Sequence, residues 1–329
     1  MTTTRRSLLA GAGAVAAAAL LDKTAKAAQP AVAGSPRGLI LANLRGGLGV
    51  KMGDRILDVA RAAKKFGKKV PATTDAVIAG RDVEGLMAVV AGAAASKQDL
   101  FIDEGSAQFG PCITNPEKII MLGFNYRKHA IEAGVPIPTA PVLFSKYNNA
   151  LNSHGGKIPL PVKAAKKFDY EVELQVIIGK TARDVSESDA LGYVFGYATG
   201  NDFSARDLQY RDGKSSQFLI GKSPDGFMPV GPWLVGAEVV ADPQKLALEC
   251  RVNGEQRQSS NTNDMIFSCA QIIAYASSIM TLKPGDLIST GTPSGPIHYK
   301  PPEQQVWLKA GDKVACSVEK LGELRFELT

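Results

Sequence analysis

Ten residues, Asp169-Tyr170-Glu171-Val172-Glu173-Leu174-Gln175-Val176-Ile177-Ile178, constrain the fold of this chain more than any other stretch. β-Branched and aromatic residues dominate them and polarity alternates with a period of two, which predicts a β-strand. Val172, Leu174, Val176 and Ile178 then fall on one face, and Glu171, Glu173 and Gln175 on the other. Adjacent same-face carboxylates are ordinary in water. Facing a cavity they repel, and one stays protonated unless a cation lies between them. A third carboxylate, Asp202, closes a second apolar run, Tyr193-Val194-Phe195-Gly196-Tyr197-Ala198-Thr199-Gly200-Asn201-Asp202. Three carboxylates converging from strand ends are hard oxygen ligands, suited to Mg²⁺, Mn²⁺ or Ca²⁺ rather than Zn²⁺. Taken alone, the strand is equally consistent with an edge strand carrying a solvated acidic face.

Other clusters surround it. His129 and Glu132 are three apart on the short helical stretch after Asn125, so they share a face and can hydrogen-bond. A carboxylate holding one imidazole nitrogen makes the other a better base; the alternative is a surface polar pair. Arg206 and Gln209 share a face of a second helical stretch, and a guanidinium grips a carboxylate in a fork. Lys222 is the one cation in Leu219-Ile220-Gly221-Lys222-Ser223, placed either to stabilise developing negative charge or to snorkel at the surface. Thr290-Gly291-Thr292-Pro293 brings hydroxyls and bare backbone N–H groups to a strand end, where they can bind a carboxylate without another charge.

In order, the chain carries Gly123-Phe124-Asn125-Tyr126-x-x-His129-x-x-Glu132, Asp169-Tyr170-Glu171-Val172-Glu173-Leu174 and Asn201-Asp202-x-x-x-Arg206-Asp207-x-Gln209. Gly221-Lys222-Ser223, Pro229-Val230-Gly231-Pro232-Trp233, Val252-Asn253-Gly254-Glu255, Pro284-Gly285-Asp286 and Thr290-Gly291-Thr292-Pro293 follow. From about residue 116 to the C-terminus this series resembles the fumarylacetoacetate hydrolase family. The resemblance implies a divalent metal, Mg²⁺ first, on Glu171, Glu173 and Asp202, worked by a His129–Glu132 pair with Lys222. It also implies substrate contacts from Tyr126, Arg206, Gln209 and Thr292, a 134–141 loop that closes over substrate, and a homodimer. The partner it implies is a small anionic 2-oxo acid. The expected reaction is metal-dependent hydrolysis of a C–C bond in a β-diketo acid or acylpyruvate-like substrate. The same apparatus supports 2-oxo acid decarboxylation, hydroxymuconate-type isomerisation or ureidoglycolate-type lysis. A reading of another class is an exported binding protein with a stabilising Ca²⁺; it has no use for His129, Glu132, Lys222 and Arg206.

Ahead of this lies a segment that is not fold. Arg5-Arg6 precede an apolar run from Leu8 to Leu21, and Ala25-Lys26-Ala27 supplies a small-x-small cleavage site, with Ala31-Val32-Ala33 as a second candidate. The run is too short to span a bilayer comfortably. Residues 1–28 resemble a twin-arginine signal, which directs export to the periplasm and leaves no membrane anchor; a mitochondrial presequence is the alternative. Cleavage removes four cations and one anion, half of the net +6, so the mature chain is only mildly basic. Nothing in it argues for nucleic acid. With 45% hydrophobic and 21% charged residues the whole sequence has the composition of a globular protein. The four cysteines, Cys112, Cys250, Cys269 and Cys316, lack C-x-x-C spacing and read as buried free thiols.

The elements follow from local pattern. Residues 29–112 read as a small α+β domain with helices over 59–66, stopped by Gly67, and 83–95; Arg45-Gly46-Gly47 is a hairpin turn rather than a phosphate loop. From 113 to 329, Asn253-Gly254 marks a tight hairpin. Asp264 caps a helix over 265–282 with Ile266, Ala270, Ile273, Ser277 and Met280 as its apolar stripe, and a strand spans 305–308. His154 and His298 read as loop histidines without a role, although the loop of His298 rims the pocket. The expected fold is α+β: a rolled, mostly antiparallel β-sandwich behind a small N-terminal domain.

Overall fold

The computed structural model describes residues 35–96, 100–213 and 216–329. Arg5, Arg6, the apolar run and both candidate cleavage sites lie outside the described residues. The chain opens with β1 (Ile40–Leu44), β2 (Gly47–Met52) and β3 (Arg55–Asp58), then α1 (Val59–Phe66), α2 (Thr74–Ile78), α3 (Val83–Ala94) and β4 (Phe101–Asp103). Next come β5 (Ile119–Gly123), α4 (Arg127–Glu132), β6 (Val142–Lys146), β7 (Leu151–Asn152), β8 (Gly156–Ile158), β9 (Phe168–Asp169) and β10 (Val172–Ile178). β11 (Val194–Asn201), β12 (Ser204–Ala205), α5 (Arg206–Gln209), α6 (Phe218–Lys222), β13 (Met228–Pro229) and β14 (Leu234–Gly236) follow. The chain closes with β15 (Ala247–Val252), β16 (Glu255–Asn261), α7 (Cys269–Ile279), β17 (Leu287–Ser289), β18 (Lys313–Val318) and β19 (Gly322–Leu328).

Two sheets dominate, and the α+β expectation holds. One has ten strands in the order β4-β3-β2-β1-β14-β11-β10-β17-β5-β6, antiparallel except at β17–β5. The other runs β16-β15-β18-β19-β8, antiparallel except at β19–β8. Leu174, Val176 and Ile178 of β10 pack in one core with Leu248, Val314, Cys316 and Leu324 of the smaller sheet. A second core joins the other face of the large sheet, through Ile119, Met121, Ile177 and Leu287, to Ala62, Leu86, Val89 and Val90 of α1 and α3. The N-terminal strands join the large sheet rather than forming one of their own, since β1 pairs with β14.

Local chemistry accounts for most elements. Asp58 caps α1 and Gly67 ends it in the left-handed region. Asn253 and Gly254 both have positive φ, as a two-residue turn between antiparallel β15 and β16 requires. All four cysteines are buried free thiols. Two expectations need correction. The long helix starts at Cys269, capped by Ser268 and Gln271 in a capping box, and its buried residues are Cys269, Ile272, Ile273, Ala276 and Ser277. Asp264 instead accepts the Lys128 N–H at 3.1 Å in the first turn of α4, and Asn125 holds Ile266 and Phe267 by their backbone N–H groups. Residues 305–308 form no strand. Pro301 and Pro302 favour a 3₁₀ turn over Pro302–Gln304, leaving one bridge from Leu308 to Phe168.

Candidate active site

β10 is buried along all of its seven residues, so its acidic face is not solvated. β10 and β11 run antiparallel with Val172 opposite Asn201 and Glu173 opposite Gly200. Glu171 and Glu173 at the start of one strand therefore meet Asp202 just past the end of the other. One oxygen from each carboxylate lies within 4.8 Å of the other two, and all three side chains are buried.

The polar partners divide unequally. Lys222 Nζ donates to Glu171 Oε2 at 2.8 Å and to Asp202 Oδ2 at 2.7 Å. Lys146 Nζ donates to Asp202 Oδ1 at 2.6 Å and to the Phe227 carbonyl at 2.7 Å. Arg206 reaches Glu171 Oε1 with one nitrogen, Asp169 Oδ2 at 2.9 Å with Nε, and Gln209 Oε1 at 3.0 Å with the third. Glu173 has only neutral donors, the Ser289 hydroxyl and the Gly291 N–H at 2.9 Å. Burial therefore pushes Glu173 well above the usual carboxylate range, and Asp202 and Glu171 add to the push. Burial acts the same way on Glu171, but Arg206 and Lys222 overcome it and hold that carboxyl well below the range. Burial alone would lower Lys222; Asp202 and Glu171 reverse the sign and hold its ammonium charged.

Of the cluster's four carboxyl groups, Asp169, Glu171 and Asp202 pair with its three side-chain cations, Lys146, Arg206 and Lys222, and Glu173 is bonded to neutral donors. The donor set fits a hard divalent cation: three buried carboxylates, with no thiol or imidazole among them. Such an ion, with every carboxylate ionised, leaves the cluster one charge positive, which suits an anionic substrate.

A cleft opens beside this cluster, lined by Glu171, Asp202, Arg206 and Lys222 and, opposite them in chemistry, by rings. His129, on α4, lines the same cleft. Its Nδ1 lies 3.3 Å from Glu132 Oε2, and Glu132 in turn accepts the Gly295 N–H at 3.1 and 3.0 Å. With Nδ1–H donated to that carboxylate, Nε2 is left as the basic nitrogen. The ring stacks on Phe124 and meets Tyr299 edge-on at 4.9 Å. Phe124 holds a left-handed φ of 50°, a strained backbone of the kind found where a side chain must be aimed.

The family model described as fumarylacetoacetate (FAA) hydrolase C-terminal matches residues 118–329, nearly two thirds of the sequence. The chain belongs to the fumarylacetoacetate hydrolase family. Among curated relatives, a 2,4-didehydro-3-deoxy-L-rhamnonate hydrolase of Sphingomonas sp. is 42% identical over 269 residues, 80% of this chain and 93% of that protein. A mitochondrial oxaloacetate tautomerase of Xenopus laevis is 44% identical over 213 residues, 64% of this chain and 65% of that protein. The solved structure of a maleylpyruvate hydrolase from Sphingobium sp. SYK-6, with manganese(II) and pyruvate, superposes with a TM-score of 0.69. It has 30% identity and covers 88% of this chain and 98% of that one. The chain is an enzyme of this family of hydrolases, isomerases and tautomerases.

Within the fumarylacetoacetate hydrolase frame, the expected substrate contacts change character. Tyr126 is fully buried in the core, its hydroxyl has no hydrogen-bond partner among the described residues, and it is absent from the cleft lining. Arg206, Gln209 and Thr292 line the cleft, but their polar groups are committed within the protein. Gln209 bonds Arg206 and Ser216, and the Thr292 hydroxyl donates to the Val172 carbonyl and accepts from Gln258. The bare N–H groups of the 290–295 turn hold Glu173 and Glu132 rather than standing free. Gly291, at φ 91°, has no room for a side chain: a Cβ would lie 2.8 Å from that of Asn125.

Several site residues escape the sequence pattern. Lys146 sits at the end of an apolar strand, where a buried lysine is the only sign. Asp169 belongs to the Asp-Tyr-Glu motif and accepts the Ile297 and His298 N–H groups as well as Arg206. His298 stacks flat on Tyr210 at 4.5 Å, and burial, aided by Arg206, lowers it to about 4, so it is uncharged at neutral pH.

Proposed function

We propose that this enzyme hydrolyses a C–C bond in an acylpyruvate-like β-diketo acid. The observation that carries the reading is that His129, backed by Glu132, lines the same cleft as Glu171 and Asp202, whose carboxylates cluster with that of Glu173. Glu171, Glu173 and Asp202 would hold a divalent ion, Mg²⁺ in this proposal, which when bound supplies Lewis acidity to a 2-oxo acid. The manganese and pyruvate in the maleylpyruvate hydrolase structure support that choice of ligand class.

The chain's own groups then divide the work. His129 Nε2 takes a proton from water, and the hydroxide adds to the distal carbonyl carbon of the substrate. Glu132 holds the imidazole's other N–H and stabilises the imidazolium that forms. The C–C bond breaks with its electron pair moving into the 2-oxo acid fragment as an enolate. Lys222, whose ammonium already sits between two carboxylates, offers its positive charge to that enolate. The enolate takes the proton from His129, and the products are a carboxylic acid and a 2-oxo acid. For 2,4-dioxopentanoate these are acetate and pyruvate. Incubation with Mg²⁺ should release them in equal amounts; conversion to any other product set would contradict the proposal. Export by the twin-arginine route and a homodimeric assembly belong to the proposal on the strength of the sequence resemblance.

A further inference from the structure

We infer that the cleft selects 2-oxo acids whose tail is uncharged, aliphatic or hydroxylated, and rejects dicarboxylates. The inference rests on reading the cleft as a 2-oxo acid site and adds the character of the substrate's other end. Among the described residues, the side-chain cations in the lining are Arg206 and Lys222, and each is already bound to buried carboxylates. His129 is bound to Glu132. Gln209 and Thr292 are neutral and bonded within the protein, and most of the remaining wall is made of Phe124, Phe144, Phe218, Tyr210 and Tyr299, with Leu122.

These rings form a fitted surface. Phe144 of β6 and Phe218 of α6 stack at 4.3 Å and 14°. Tyr299 stands edge-on to His129 and His298, and its hydroxyl lies 3.1 Å from that of Tyr210. A second carboxylate moved from water against these rings would lose hydration and gain no counter-charge from the described residues. An alkyl tail loses nothing polar there and gains by burial. Hydroxyls on a tail would find the Tyr210–Tyr299 pair as donor and acceptor. Phe218 is the residue that sets this preference most directly, because α6 carries it on the same short helix as Lys222.

The test is a matched pair of ligands with the same five-carbon backbone, 2-oxopentanoate and 2-oxoglutarate. Each is titrated calorimetrically into Mg²⁺-loaded full-length enzyme. The wild type should bind 2-oxopentanoate at least about tenfold more tightly, a margin of roughly 1.4 kcal/mol. Phe218→Arg, which places a cation in the wall, should shift the ratio at least tenfold toward 2-oxoglutarate. Equal binding by the wild type, or a preference for 2-oxoglutarate, would overturn the inference while leaving the 2-oxo acid site intact. Binding of neither ligand would overturn the reading of the site itself, and the inference with it. A folded Phe218→Arg protein with an unchanged ratio would remove the ring wall as the selecting feature.

Discussion

At the scale of residues, Glu171 and Glu173 stand two apart on one strand, yet burial and partners drive them in opposite directions. Glu171 faces two cations; Glu173 faces a hydroxyl and a backbone N–H. In the metal-free protein the proton therefore resides on Glu173, and metal uptake must expel it. The sign follows: a group raised without metal and ionised with it makes metal affinity rise with pH, by up to about tenfold per unit while Glu173 is protonated. Mg²⁺ titrations in buffers of different ionisation heat should show about one proton released per ion. Affinity that is flat with pH would contradict the assignment. Lys146 makes a separate prediction. It pins Asp202 Oδ1, so Lys146→Met should weaken Mg²⁺ binding about 10–100-fold, as losses of partners behind metal ligands do. His129→Ala should instead leave metal affinity unchanged and lower kcat for hydrolysis about 10²–10⁴-fold.

At the scale of elements, the carboxylate strand and the His129–Glu132 pair were legible because their meaning is local. Period-two alternation fixes which β10 side chains share a face, and i,i+3 spacing fixes which α4 side chains do. Lys146, Asp169 and Ser289 were not legible, because what makes them matter lies 37 to 116 residues away: Lys146 meets Asp202, Asp169 meets Arg206, and Ser289 meets Glu173. The same blindness to distant partners explains Tyr126 and Thr292. Each lies in a motif that marks the site, but one supports the core and the other ties the 290–295 turn to β10 and β16. The start of the long helix was misplaced because Asp264 is a good cap for either α4 or α7, and only the tertiary bond to Lys128 decides between them. Ser268 is the cap in use. Ser268→Ala should cost about 1 kcal/mol of stability and lower Tm by roughly 2–4 °C, read by calorimetry with turnover unchanged.

At the scale of the whole molecule, one ten-stranded sheet ties the N-terminal strands to the strands that carry the site, through β1 and β14. Its two cores, one on each face, bury both sides of β10 and so keep the acidic cluster dry. The α+β class was readable from alternating strands interrupted by short helices. The continuity of the sheet was not, since strand pairing across nearly 200 residues leaves no mark in local pattern. The proposed twin-arginine export turns on Arg5-Arg6 ahead of the apolar run: changing both to lysine should leave uncleaved precursor inside the cell, and normal processing of that variant would refute it. The proposed hydrolysis depends on an ion held by buried Glu171, Glu173 and Asp202. Its most direct test is the rate of 2,4-dioxopentanoate cleavage by metal-stripped enzyme as Mg²⁺ is added back. The predicted result is no turnover at the start and a rise that saturates with one ion bound per chain. Full turnover by the stripped enzyme would contradict it.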